Sequence, residues 1–317
     1  VRRLLAVLVA LAGALTLAGC TAEASGTAPI TDGRPLRITT TTNFITDTVG
    51  RIGGDRLEVT GLMGPGVDPH LYRASAGDVQ ALREADIIFY GGLNLEGKMG
   101  DLLADLGRSR TVRAVTDGIP RDQLLRGPGT SEADPHVWFD VTLWQHASRA
   151  IAETLAAADP GHAADYRRNL DAYLAELTSL DAGIRERMAA VPAPRRVLVT
   201  SHDAFAYFGR RYAVEVAAIQ GISTAAEATT ADIERVAELI ASRQVPAVFV
   251  ETSVPRQTID ALLAATARRG HPAVVGGELF TDAAGAPGTP EGSYLGMVRA
   301  NVDRIADALG APAAAGG

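Results

Sequence analysis

Two short runs, Asp68-Pro69-His70 and Asp134-Pro135-His136, repeat one tripeptide in a chain that holds only six histidines and sixteen prolines. An imidazole can offer a neutral nitrogen to a metal ion or accept a proton from a reacting group. Proline fixes its own φ and drives the preceding residue toward extended backbone, so each histidine would leave a loop that is stiff before any ligand arrives. The aspartate could shape that loop, or orient the imidazole from behind as carboxylates do around metal centres. An Asp-Pro turn with a histidine behind it by accident is the plainer alternative, and two occurrences strain it. A third histidine, His202 in Val-Thr-Ser-His-Asp-Ala-Phe, follows an apolar run directly. The three stand far apart in sequence, so no zinc-finger or His-Glu-x-x-His spacing exists. Any site built from them must be assembled by the fold. His146, His162 and His271 are assigned to solvated or capping roles.

The elements that would position these loops are legible from periodicity. Strand-like runs at 37–42, 57–62, 86–90 and 111–115 alternate with helical spacing at 75–84 and 96–105, and a further helix begins near Asp140. The pattern recurs with strands at 196–200, 214–219, 246–251 and 272–276 and helices at 203–212, 231–243, 255–268 and 291–309. Alternation of this kind predicts βαβ units and parallel sheets, here in two α/β lobes that each bury a core. His70 and His202 then fall after strands, where open parallel sheets bind their ligands. Between the lobes, Tyr166, Leu170, Tyr173, Leu174, Leu177, Leu180 and Ile184 recur at three- and four-residue steps. Asp159-Pro160 starts this helix, and Pro192 and Pro194 stop it. A rod of about 45 Å is expected, long enough to run along both lobes and to limit their relative motion.

The 317 residues are 47% hydrophobic and 21% charged, with a formal net charge of −7 and no Lys/Arg run. A nucleic-acid partner is thereby disfavoured, because it needs a concentrated basic surface. Arg2 and Arg3, the apolar run Leu4 to Leu17 and the small residues before Cys20 are the layout of a secretory signal. The run is too short for a membrane span. Cys20 is the single cysteine, so no disulfide forms within the chain, and Leu17-Ala18-Gly19-Cys20 resembles a lipobox whose cysteine carries the lipid. The expected organisation is a signal at 1–19, a lipidated Cys20 with a flexible tether to 36, and an N-terminal lobe at 37–158. A linking helix at 159–192, a C-terminal lobe at 193–310 and a tail at 311–317 complete it.

Several stretches together resemble one family. They are Asp-Pro-His-Leu-Tyr at 68–72, Phe-Tyr-Gly-Gly-Leu-Asn-Leu-Glu at 89–96, Asp-Pro-His-Val-Trp-Phe-Asp at 134–140 and Thr-Ser-His-Asp-Ala-Phe-Ala-Tyr-Phe at 200–208. Gln-Gly-Ile-Ser-Thr-Ala-Ala-Glu-Ala at 220–228, Phe-Val-Glu-Thr-Ser-Val at 249–254, Gly-Glu-Leu-Phe-Thr-Asp at 277–282 and Gly-Ser-Tyr at 292–294 follow in order. The set is similar to the zinc/manganese solute-binding lipoproteins of bacterial ABC importers over roughly residues 37–309.

The resemblance implies two α/β lobes, each with a four-stranded parallel sheet flanked by helices, joined by one long backbone helix. It implies one Zn2+ or Mn2+ as transported cargo in the cleft, held by His70, His136, His202 and Asp282. It also implies a monomer anchored outside the cytoplasm that hands its ion to a membrane permease. A histidine at position 202, where many manganese-type members have Glu, matches the treponemal-type three-His/one-Asp members. Residues 116–133 hold no histidine, unlike the His-rich loop of many dedicated zinc members. Three imidazoles and a carboxylate suit four-coordinate zinc, and a bidentate Asp282 would suit manganese better. Two other readings are a zinc hydrolase with three histidine ligands and Asp282 as base, and a surface adhesin. No motif with catalytic mechanics supports the first, and no residue pattern supports the second.

Overall fold

The computed structural model describes residues 33–127 and 131–312. The expected signal, Cys20 and most of the tether lie outside the described residues. In chain order, β1 (Leu36–Thr40), α1 (Asn43–Gly53), β2 (Leu57–Gly61), α2 (Ala76–Glu84), β3 (Ile87–Tyr90), α3 (Gly100–Leu106) and β4 (Thr111–Ala114) build the N-terminal lobe. Its four parallel strands run in the order β2-β1-β3-β4. After α4 (Val141–Ala158) and α5 (Ala163–Ala189) come β5 (Val197–Thr200), α6 (Ala206–Tyr212), β6 (Glu215–Ala218) and α7 (Thr230–Arg243). Then follow β7 (Ala247–Glu251), α8 (Gln257–Arg268), β8 (Val274–Leu279) and α9 (Tyr294–Ala308).

The C-terminal lobe also has four strands, but its described ladders are two parallel pairs, β5–β6 and β7–β8, with β5 lying beside β7. Its sheet is thus less regular than the continuous four-stranded one expected. Burial explains which strands sit centrally. Every residue of Val-Leu-Val-Thr in β5 and Ala-Val-Phe-Val-Glu in β7 is buried, as parallel strands covered on both faces require. The outer strands β2, β6 and β8 are partly exposed.

Local chemistry fixes the helix ends. Ser75 and Asp78 exchange side-chain and backbone hydrogen bonds at the start of α2, and Thr229 and Asp232 do the same for α7. The linking helix is α5, preceded by a 3-10 turn at Pro160–His162, and its 27 residues span about 40 Å. Tyr166, Tyr173, Leu177, Leu180, Ile184 and Met188 form its buried stripe. That stripe faces α1 and α4 on one side and α6 and α9 on the other.

The helix α1 was not anticipated by periodicity, although Phe44, Ile45, Val49 and Ile52 bury one face. Its shortness and the Thr-rich run before it hide the pattern. The larger departure concerns the core. Separate cores were expected, but the inner faces of both lobes share one, running from Leu36 and Phe44 through Trp144 and Tyr173 to Phe249 and Tyr294. Smaller clusters lie on the outer faces, around Leu82 and Leu103 in one lobe and Val236 and Leu262 in the other. The helices α1, α4, α5 and α9 stack against one another, so their apolar faces merge. A Cβ at Gly276 would stand 2.7 Å from the Ala308 side chain, and its absence lets α9 close onto β8. A close-packed shared core resists large sliding of one lobe on the other.

Candidate metal centre

The cleft lies at the carboxyl ends of the strands. His70 stands in the loop between β2 and α2, where Gly66 turns the chain with φ +71°. His136 immediately precedes a 3-10 turn, Val137–Phe139, that leads into α4 through an Asp140 cap on Thr142 N. His202 follows β5, and Asp282 follows β8. The fold brings these four side chains together, with candidate ligand atoms all within 4.8 Å of one another. His70 is 4% exposed and the other three are fully buried. Imidazole centroids are 5.2 to 5.9 Å apart. Asp282 Oδ1 lies 3.6 Å from His136 Nε2, and Oδ2 lies 3.5 Å from His202 Nε2.

Supporting groups set the orientation of two rings. Asp134 Oδ1 accepts from His136 N at 2.9 Å and lies 2.7 Å from His136 Nδ1. Glu251, the last residue of β7, accepts from Ser201 N and His202 N through Oε1 at 2.7 and 2.9 Å. Its Oε2 lies 2.5 Å from His202 Nδ1. A carboxylate that accepts a hydrogen bond from Nδ1–H fixes the tautomer whose Nε2 lone pair faces the centre. Ser253 donates to Asp282 Oδ2 at 3.0 Å, which leaves Oδ1 as the free oxygen. Asp68 behaves differently from Asp134: its Oδ1 accepts only from His70 N, at 2.8 Å.

Among the described residues, His70 Nε2, His136 Nε2, His202 Nε2 and Asp282 Oδ1 are buried without a hydrogen-bond partner. Orphaned buried polar atoms are costly, and four of them converging on one point fit a cation. Charge points the same way. Asp134, Glu251 and Asp282 are all buried around three imidazoles, and a divalent cation offsets buried negative charge that is otherwise expensive.

Titration reflects this network. Burial pushes the His70 imidazole down to about 3, and the neighbouring His136 and His202 add to the effect against Asp282. Burial also opposes charge on His136, but Asp134 overrides it and the imidazole is raised. His202 is raised well above the ordinary range because Glu251 and Asp282 outweigh its burial. Asp282 is held well below the usual carboxylate range: burial acts upward, and the imidazoles, His202 first, overcome it.

The remaining histidines stay apart from the centre. His162 stands at the start of α5 without a side-chain cap, its Nδ1 2.7 Å from Asp159 Oδ2, while His271 Nε2 meets Val245 O at 3.0 Å and His146 is half-buried on α4. Nothing in the local sequence marks Ser253, and Glu251 shows only as a strand-terminal carboxylate. The available signal was a carboxylate closing an otherwise wholly apolar strand.

Fold and geometry together define a two-lobed α/β protein with a buried three-His/one-Asp cluster between its lobes that could hold a metal ion. The family model described as zinc-uptake complex component A, periplasmic, matches residues 38–308. The chain belongs to that family. It is 49% identical over 278 residues to the zinc-binding protein TroA of Treponema pallidum, covering 88% of this chain and 90% of that protein. It is 42% identical over 293 residues to the manganese-binding lipoprotein MntA of Bacillus subtilis, covering 92% and 95%. The solved structure of the periplasmic zinc-binding protein TroA from Treponema pallidum superimposes with a TM-score of 0.85 at 48% identity, over 87% of this chain and 99% of that one.

Proposed function

We propose that this protein captures one divalent transition metal ion outside the cytoplasm, through His70, His136, His202 and Asp282, and delivers it to the permease of an ABC importer. The observation that carries the reading is the convergence of four orphaned, buried donor atoms on one point. Four protein ligands close the shell and leave no open position for a reacting water, so the protein is a carrier and not an enzyme. The chain works as a monomer, with lobes at 37–158 and 193–310 joined by the 159–192 helix. Residues 1–19 direct export, and a lipid on Cys20 anchors the protein at the membrane surface.

The metal is zinc or manganese. Three nitrogens and one oxygen suit tetrahedral zinc, and the Ser253 hydrogen bond to Oδ2 favours monodentate binding by Asp282. Intrinsic affinities of such donor sets also place zinc above manganese. Competitive zinc and manganese titration of the metal-free protein tests this, combined with elemental analysis of protein from its native envelope. One equivalent of metal, with zinc displacing manganese, is the expected result. No stoichiometric binding of either would reject the reading.

A further inference from the structure

The two sides of the site are tied together very unevenly. On the His136 side, Trp138 Nε1 donates to Thr281 O at 3.0 Å, and Tyr207 OH donates to Asp134 O at 2.8 Å. Asn43 bonds both backbone atoms of Ala284 at 2.8 Å each. On the His70 side, a single hydrogen bond joins the β2–α2 loop to the C-terminal lobe among the described residues. Thr224 Oγ1 donates to Asp68 Oδ2 at 2.6 Å. The other oxygen of the same carboxylate accepts from His70 N. One aspartate therefore connects the peptide of a candidate ligand to the opposite lobe.

The Thr224 end of this tie is itself anchored beside His202. Gln220 N donates to Ser201 O at 2.8 Å, and Asp203 N donates to Gly221 O at 3.2 Å. The connection thus runs from His70 N through Asp68 and Thr224 to a loop fastened on either side of His202. The His70 ring, unlike the other two, has no carboxylate behind it among the described residues.

We propose that Asp68 and Thr224 form a latch that holds the His70 loop closed over the cargo and sets how fast the ion leaves. The proposal rests on the carrier reading above. Breaking one partly buried hydrogen bond frees His70 with its loop, while His136, His202 and Asp282 keep hold of the ion until another group takes it. The corresponding movement on the His136 side would break several hydrogen bonds and disturb the shared core. Thr224 is thus a positioning residue that acts through Asp68.

Stopped-flow transfer of zinc from loaded full-length protein to a colorimetric chelator tests the latch in wild type, Thr224→Val and Thr224→Ser. Valine keeps the shape and removes the hydroxyl, and serine keeps the hydroxyl. Thr224 is only half-buried, so both variants are expected to fold. Release from Thr224→Val should be faster by about tenfold, the order expected for losing one hydrogen bond to a carboxylate, with the association rate little changed. Thr224→Ser should release near the wild-type rate. Unchanged release from Thr224→Val, or equal acceleration in both variants, would overturn the latch while tight wild-type binding left the carrier reading intact. Wild-type protein that holds no zinc would overturn both.

Discussion

The two Asp-Pro-His loops share a tripeptide and differ in what the aspartate does. Asp134 touches its own histidine twice, at the backbone N–H and at ring Nδ1, and sits 1% exposed inside the shared core. Asp68 touches only the backbone N–H of His70, and its second oxygen reaches across the cleft to Thr224. One sequence motif therefore supplies an imidazole oriented by a carboxylate in one place and, in the other, an imidazole with a lowered pKa whose backbone is tied to the opposite lobe. Proline stiffens both turns in the same way, and the surrounding packing decides which role the carboxylate takes. Candidate ligands tied firmly on one side and by a single hydrogen bond on the other would suit a carrier, which must bind tightly and still let go.

Loss of an imidazole should cost more than loss of any group behind it. His70→Ala, His136→Ala and His202→Ala should each weaken zinc binding by more than about a hundredfold, the loss of a whole ligand exceeding that of its supporting carboxylate. His146→Ala should leave calorimetric affinity unchanged. A harmful His146 variant alongside a mild His136 variant would break the assignment.

The next effect separates the loops. Asp134→Asn and Glu251→Gln should each lower metal affinity by about 10- to 100-fold, because each replaces the charged acceptor behind an imidazole Nδ1 with a neutral amide. Asp68→Asn should lower equilibrium affinity less and show mainly as faster release. Equal affinity losses at positions 68 and 134 would erase the distinction.

Proton uptake gives a third contrast. The lowered His70 is already neutral near pH 7, whereas the raised His136 and His202 hold protons above their ordinary 6.5 in the metal-free protein. Metal must displace those protons, so affinity should rise with pH through and above neutrality. The sign for folding is opposite. The stability that His136 and His202 contribute in the metal-free protein is present below 6.5 and is lost as pH rises through their raised values. Calorimetry in buffers of different ionisation enthalpy should show proton release on zinc binding, reduced in Asp134→Asn. Zinc binding without proton release would contradict the charge pattern.

The smallest effect concerns metal preference. Ser253→Ala frees Asp282 Oδ2 from its hydrogen bond and should narrow the zinc-over-manganese ratio by a few-fold, read by competitive titration.

Much of this was legible from residues alone. Apolar runs gave the strands, the Tyr166-to-Ile184 stripe gave the long helix, and histidines after strands pointed to one cleft. Asp282 emerged only by resemblance to a family, since a lone aspartate after a strand carries no signal of its own. Glu251 is marked only as a carboxylate closing an apolar strand, which does not say what the carboxylate faces. Its task appears only once β7 lies beside β5 and its oxygens reach the His202 peptide and ring. The shared core was equally invisible, because periodicity marks an apolar face without naming the face it meets. The division of labour between Asp68 and Asp134 depends on Thr224, distant in sequence from both, and no local pattern encodes it.

X-ray absorption spectroscopy of the zinc-loaded protein reads the coordination shell itself. Four nitrogen or oxygen neighbours at about 2.0–2.1 Å, three of them with imidazole multiple scattering, are expected. A centre with fewer than three imidazoles would contradict the site described.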